Sequence, residues 1–179
     1  FQINNGHLDK GQSLRNRYPG MVWPHDMKIL HQSDRNTIWI GTRSHGIIKL
    51  NESKKTATKS SNSNISNSLR SQFILSIFTD MQGITWIGES VGGIAKYDNS
   101  NTFFDLYRID RNKDGSIADN SIFSIYSPND IDFYSGTLVG GLLHQNVLTG
   151  DANHYIPDAN ETESKNIYSI VPAHNGHLW

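Results

Sequence analysis

One stretch recurs along the chain, altered but recognisable, and its period limits the available folds more than any other feature. WIGTRSHGIIKLN begins at Trp39, WIGESVGGIAKYD at Trp86 and YSGTLVGGLLHQN at Tyr134, and NGHLW reaches Trp179. These aromatic positions lie 47, 48 and 45 residues apart. DMKIL, FILSI, SIFSI and NIYSI begin at Asp26, Phe73, Ser121 and Asn166, each thirteen residues before its aromatic. A period of this length fixes architecture, because each repeat is one supersecondary unit that buries its apolar faces only against its neighbours.

Each copy reads as strands. FILSI and its relatives are short, β-branched or aromatic, and apolar on both alternating faces, which suits a strand covered on two sides. Turn formers follow, as in DMQG and PND, then a second strand such as ITWIG, a glycine turn, and a third strand such as IAKYD. TFFDLYR and ANHYIPD supply fourth strands, KKTATKS a weaker one. Four strands in about 47 residues make a β-propeller blade, so the sequence predicts an all-β chain of four-stranded antiparallel sheets. Residues 1–26 read as the end of a preceding blade and a linker, 27–72, 73–120 and 121–165 as blades, and 166–179 as the start of a truncated one. At this period 179 residues fall short of four blades, which favours a segment of a larger propeller over a four-bladed ring closed by the N-terminal strand. Gly41, Gly88 and Gly136, two residues after each aromatic, are expected to give the indole room between sheets, and Gly46, Gly92 with Gly93, and Gly140 with Gly141 to form the turns.

Composition removes several classes of function. Sixteen Lys and Arg against seventeen Asp and Glu leave a net charge of −1, with no electrostatic footprint for nucleic acid or anionic lipid. Cysteine is absent, so disulfides, thiol nucleophiles and thiolate metal sites are excluded. Apolar runs such as FILSIF and TLVGGLL are too short to span a bilayer, and no membrane contact is expected. The first residues, FQINNGHLDK, have neither the basic start nor the apolar middle of a secretion signal, though one could lie upstream. DRNKDGSIADNS places Asp110, Asn112 and Asp114 like calcium ligands, with Gly115 sixth, but the twelfth position is Ser121 instead of Glu, and an interblade linker explains the segment. The eight histidines lack metal spacing; only His174 and His177 are close, three apart in a turn. GESVGG imitates a nucleophile elbow at Ser90, but joins two strands without a helix, and Arg43 and Leu138 replace that serine in the other copies. No metal, cofactor or catalytic residue is predicted. The tract Lys54–Ser68 reads as a flexible connection.

The pattern of an I-x-S-I strand, a turn, W-I-G-T, a short loop, G-G and an apolar strand ending in Tyr-Asp resembles the two-component regulator propeller repeat. The likeness is best from Phe73 to Asp98, and weaker around Tyr134, where Trp is replaced, and at Lys28 and Ile29 of the first copy. The resemblance implies the periplasmic sensor region of a bacterial hybrid histidine kinase or diguanylate cyclase, without catalysis of its own. It also implies a small-molecule or carbohydrate ligand and a homodimer formed through neighbouring or missing parts of the propeller. On one rim, the turns between second and third strands would meet the interblade linkers. That rim gathers Arg43, Ser44 and His45, then Glu89, Ser90 and Val91, then Leu138 and Val139, with Trp23, His25, Arg70, Gln72, Asp119 and Asn120 from linkers. Of these, Arg43, His45, Glu89, Ser90, Arg70 and Trp23 are the candidate ligand-binding residues, since Trp, Arg and His on a rigid scaffold suit a polar ligand. Two alternatives are a lyase-like propeller enzyme using His45 with Glu89, and a scaffold that binds only protein.

Overall fold

The computed structural model describes residues 2–4, 7–9, 14–60, 68–98, 104–107, 120–129, 131–156 and 165–179. A two-stranded pair, β1 (Gln2–Asn4) and β2 (His7–Asp9), precedes a single helical turn, α1 (Leu14–Arg17). Three four-stranded meanders follow. The first holds β3 (Met27–Asp34), β4 (Thr37–Thr42), β5 (Ile47–Asn51) and β6 (Thr56–Ser60). The second holds β7 (Ile74–Thr79), β8 (Thr85–Glu89), β9 (Ile94–Tyr97) and β10 (Phe104–Tyr107). The third holds β11 (Ile122–Tyr126), β12 (Asp132–Thr137), β13 (Leu142–Asn146) and β14 (Ala152–Tyr155). Strands pair in chain order and antiparallel throughout. β7 neighbours both β3 and β11, so the first strands lie innermost and the sheets fan outward as propeller blades.

The repeat is visible in the finest detail. Each first strand bulges at its second residue, between Met27 and Ile29, Ile74 and Ser76, and Ile122 and Ser124. Between the first and second blades Trp39, Ile47, Ile74, Ile87, Ala95 and Phe104 form one core; between the second and third, Trp86, Ile94, Ile122, Ile125 and Phe133 form another. Trp39 meets Tyr97 of the next blade edge-on at 4.9 Å, and Trp86 meets Phe133 of its next blade at 4.0 Å. Each indole also lies under a lysine of its own third strand, Lys49 or Lys96. Truncating either indole to Ala would cost about 3–5 kcal/mol.

The glycines after these aromatics do a different job from the one expected. A Cβ on Gly41 would sit 2.9 Å from Ile74 Cγ2, one on Gly88 2.6 Å from the Ile122 carbonyl, and one on Gly136 2.5 Å from the Ile167 carbonyl. The atoms nearest to Gly41 and Gly88 thus include the first strand of the following blade, and those nearest to Gly136 the segment at Ile167; no indole atom is among them. In the second blade the serine of the I-x-S-I strand is a rivet in the same joint, since Ser76 Oγ donates to the Ile122 carbonyl at 3.0 Å. In the first blade Ile29 holds that position, and its side chain borders Gly41 instead.

Two further segments flank the blades. Tyr18 and Trp23, packed edge to face at 6.1 Å, close over Ile40, Ile48 and Leu50 of the first blade, much as Trp39 closes over Ile87 and Ala95 of the second. Glu52 fixes this plug by accepting from the Tyr18 hydroxyl and pairing with Arg17 and Lys55. At the other end Val171 and Trp179 exchange backbone hydrogen bonds of 2.7 and 2.8 Å, and the turn between them repeats that of the second blade. There Ala173 N–H donates to His177 O and Gly176 N–H to Ala173 O, as Asp80 does to Ile84 and Gly83 to Asp80. β6 forms although KKTATKS reads weakly. Its Thr-rich edge position exposes most side chains, so no apolar pattern announces it.

Candidate functional site

The turns between second and third strands meet the interblade linkers on one rim, through a bond that recurs at every joint. Gly46 N–H donates to the Gln72 carbonyl at 2.9 Å, Gly93 N–H to Asn120 at 3.1 Å, and Gly141 N–H to Lys165 at 3.1 Å. The three glycines hold φ of 74°, 85° and 75°, the left-handed region where a Cβ is penalised. On this frame the turn of the first blade is polar, carrying Arg43, Ser44 and His45. The turns of the second and third expose Val91, Leu138 and Val139. Arg43 lies 5.7 Å over the Phe73 ring at the start of the next blade.

Asp26 organises the polar turn. Its carboxylate accepts the Ser44 backbone N–H at 2.6 Å, the Ser44 hydroxyl and His45 Nδ1 at 2.9 Å. The Ser44 hydroxyl is the main influence, with His45 helping, and together they hold the carboxyl down at about 2 against the cost of desolvation. His45 Nδ1 is the ring nitrogen turned to Asp26 and to the Ser44 hydroxyl. Beside this trio opens a cavity of about 440 Å³, lined also by Trp23, His25 and Lys59, with Met21 and Pro24 as apolar wall. Trp23 is 7% exposed, and its Nε1–H is buried without a hydrogen-bond partner. Lys59 is exposed on β6.

The candidate residues thus separate. His45 and Trp23 come together at the cavity, although Trp23 is largely buried in the plug instead of standing free on the rim. Arg43 and Arg70 are exposed and Ser90 is half-buried, but none of these three lines that cavity. Ser90 spends its N–H on the Phe73 carbonyl, while its own carbonyl accepts the Ser121 hydroxyl. Glu89 is fully buried. Its Oε2 accepts the Ser71 backbone N–H, the Arg70 backbone also donates to the carboxylate, and Oε1 has no partner. Burial pushes this carboxyl up to about 7, outweighing those donors and the charge of Arg70. The acid bonded to His45 is Asp26, whereas Glu89, its partner in the alternative enzyme reading, is taken up by the linker backbone at Ser71. Asp26 and Lys59 escaped sequence reasoning. Asp26 stands where the other copies carry Phe73, Ser121 and Asn166, so the repeat gives no warning of it.

Asp119 and the calcium-like positions Asp110, Asn112, Asp114 and Gly115 lie outside the described residues. Among the described residues no group of three or more His, Asp or Glu could hold a metal, and no helix is long and apolar enough to cross a membrane. His174 and His177 sit in an exposed turn.

Fold and rim together define a β-propeller segment, and solved structures share its architecture. The extracellular domain of the hybrid two component system BT3049 from B. thetaiotaomicron superposes with a TM-score of 0.72 at 18% identity, over 90% of this chain and 22% of that one. The computationally designed Ika8 protein superposes at 0.53 and 13% identity, over 83% and 41%. The extracellular domain of the one component system BT4673 from B. thetaiotaomicron reaches 0.49 at 18% identity, over 90% and 26%. The chain thus spans about a fifth to two fifths of the length of these structures. No sequence-family model matches it, and no curated protein does.

Proposed function

We propose that the chain is part of an extracytoplasmic sensor propeller of a bacterial signal-transduction protein. It recognises a small ligand on the rim and performs no chemistry on it. The observation that carries this reading is the superposition on the extracellular domain of a hybrid two component system over 90% of the chain. The rim supports it too: a rigid frame of backbone bonds presents variable turns, one of which borders a preformed cavity. The ligand acts by binding one arrangement of a homodimeric ectodomain more tightly than another, since equal affinity for both would shift nothing.

The test is a thermal-shift screen of saccharides and metabolites against the full ectodomain, with mass spectrometry of every hit. The expected result is a hit that raises Tm by several degrees and is recovered unchanged. Release of a product would overturn the reading in favour of an enzyme.

A further inference from the structure

Among the described residues Glu89 is the one acidic or basic side chain with no solvent exposure, and it sits at a junction of the rim. Its carboxyl group lies between the turn of the second blade and the linker that enters that blade. A Cβ on Gly92 would fall 2.2 Å from Glu89 Oε2 and 3.0 Å from Arg70 Cβ. Oε2 accepts the Ser71 N–H, the Arg70 backbone donates to the same carboxyl, and Oε1 has no partner. The linker is anchored in the core at Leu69 and runs on to Gln72, whose carbonyl accepts the Gly46 N–H at 2.9 Å. A short path therefore leads from Glu89 through Ser71 and Gln72 to the first blade's turn. The flanking blades have no such path at this position, since Thr42 and Thr137 bond within their own turns.

A neutral carboxylic acid tolerates this enclosure with one polar atom unmatched. A carboxylate is buried with one oxygen empty, and its two backbone donors and the Arg70 guanidinium fall short of the cost of desolvation. Arg70 is the one charged group acting on it among the described residues. β7 and the turn bring Ile74, Val91 and Gly92, and the next linker brings Asn120 and Ser121, none of which titrates. Water reaches the charge most readily by movement of the linker, because Arg70 and Gln72 are already exposed while every residue of β8 is buried. We propose that Glu89 is a proton-operated latch of the rim. Protonated, it clasps Arg70 and Ser71 to the second blade; ionised, it releases them, and with them the support that Gln72 gives to the first blade's turn. The device belongs to the scaffold and needs no ligand, so it stands or falls apart from the sensor reading.

The experiment is amide hydrogen exchange of the whole chain, read by NMR at pH 6 and pH 8 and corrected for intrinsic exchange rates. A carboxyl that titrates at about 7 when clasped and near 4.5 when solvated lowers the closed-to-open ratio about tenfold between these two conditions. Protection at the Ser71 and Gly46 amides should fall by that factor. Gly141, which makes the same joint beside Thr137, should change by less than about twofold. Glu89→Gln can still accept both backbone donors but cannot ionise, and should remove the fall. His31 and His45 are retained in that variant, so any share of the pH dependence that they cause persists in it. Glu89→Thr, which installs the residue of the flanking blades, should leave Ser71 weakly protected at both pH values. No fall at Ser71, a fall confined to Ser71 without Gly46, an equal fall at Gly141, an unaltered fall in Glu89→Gln, or full protection of Ser71 in Glu89→Thr would overturn the proposal.

Discussion

Glu89 stands where the flanking blades carry Thr42 and Thr137, and the exchange redirects a hydrogen bond. Thr42 Oγ1 donates to the Gly46 carbonyl at 2.7 Å and accepts the His45 N–H at 2.9 Å; Thr137 likewise serves Gly141 and Gly140 at 2.9 Å. The longer Glu89 abandons that turn and reaches the linker backbone at Arg70 and Ser71, with one oxygen left over. Because its folded-state pKa is raised to about 7, the stability it lends is fully present below the unfolded value near 4.5 and is lost as pH rises through 7. Asp26, held down at about 2, works on the acid side: its contribution is present above about 4 and lost as pH falls toward 2. These two groups together should place the stability maximum slightly above pH 4, and Glu89 should lower stability by about 2–3 kcal/mol between pH 5 and pH 8. His31, whose pKa burial lowers, tilts the opposite way, so the decisive quantity is the difference between Glu89→Gln and the parent. Urea unfolding at pH 5 and pH 8 should show this variant with the alkaline decline removed; an unchanged slope would contradict the assignment. Sequence reading placed Glu89 on the rim, since the position ends a strand. It could not see that the side chain turns inward, because that depends on Gly92 leaving room beside the carboxylate.

At the scale of the element, the repeated hairpin between first and second strands shows how the aromatic is held. Asp80 Oδ1 accepts the backbone N–H groups of Gln82 and Ile84 at 3.0 and 2.9 Å, and Oδ2 accepts the Trp86 indole N–H at 2.8 Å. In the first blade the indole donor finds Ser33 at the same offset of six residues, at 3.2 Å. Asp80→Ala strands the buried indole N–H and opens the turn. It should lower stability by about 1–3 kcal/mol in urea unfolding, with Ser33→Ala costing clearly less. Gly88→Ala drives a methyl into the carbonyl of Ile122 and should cost about 1–3 kcal/mol. Gly83→Ala, in open space but at φ 82°, should cost about 1 kcal/mol through backbone strain alone. Blades, strand order and glycine turns were legible because a period repeats one physical solution several times. The glycine-to-next-strand contact was not, since sequence gives the spacing of Gly88 from Trp86 but not which neighbour approaches it. The trio of Asp26, Ser44 and His45 was illegible for the opposite reason: it occurs once, with partners eighteen and nineteen residues apart.

For the molecule as a whole, protection from solvent should grade with the number of covered faces. The second blade is packed by neighbours on both sides, and every residue of β8 is buried. The first blade has one face closed by Tyr18 and Trp23 while Leu30 on its innermost strand stays 73% exposed, and at the far end Trp179 is 79% exposed. Amide hydrogen exchange should accordingly be slowest at Trp86, Ile87 and Gly88 and fastest in the hairpin from Val171 to Trp179; uniform protection across the blades would contradict this. The joints themselves ask little of sequence. Each is made by a glycine N–H and a main-chain carbonyl, so the joint bond itself asks nothing of the intervening side chains, Arg43 to His45 in one blade and Ser90 to Val91 in the next. Such a rim behaves like a set of interchangeable cassettes, whose recognition surface can be rewritten turn by turn while the scaffold beneath keeps its shape.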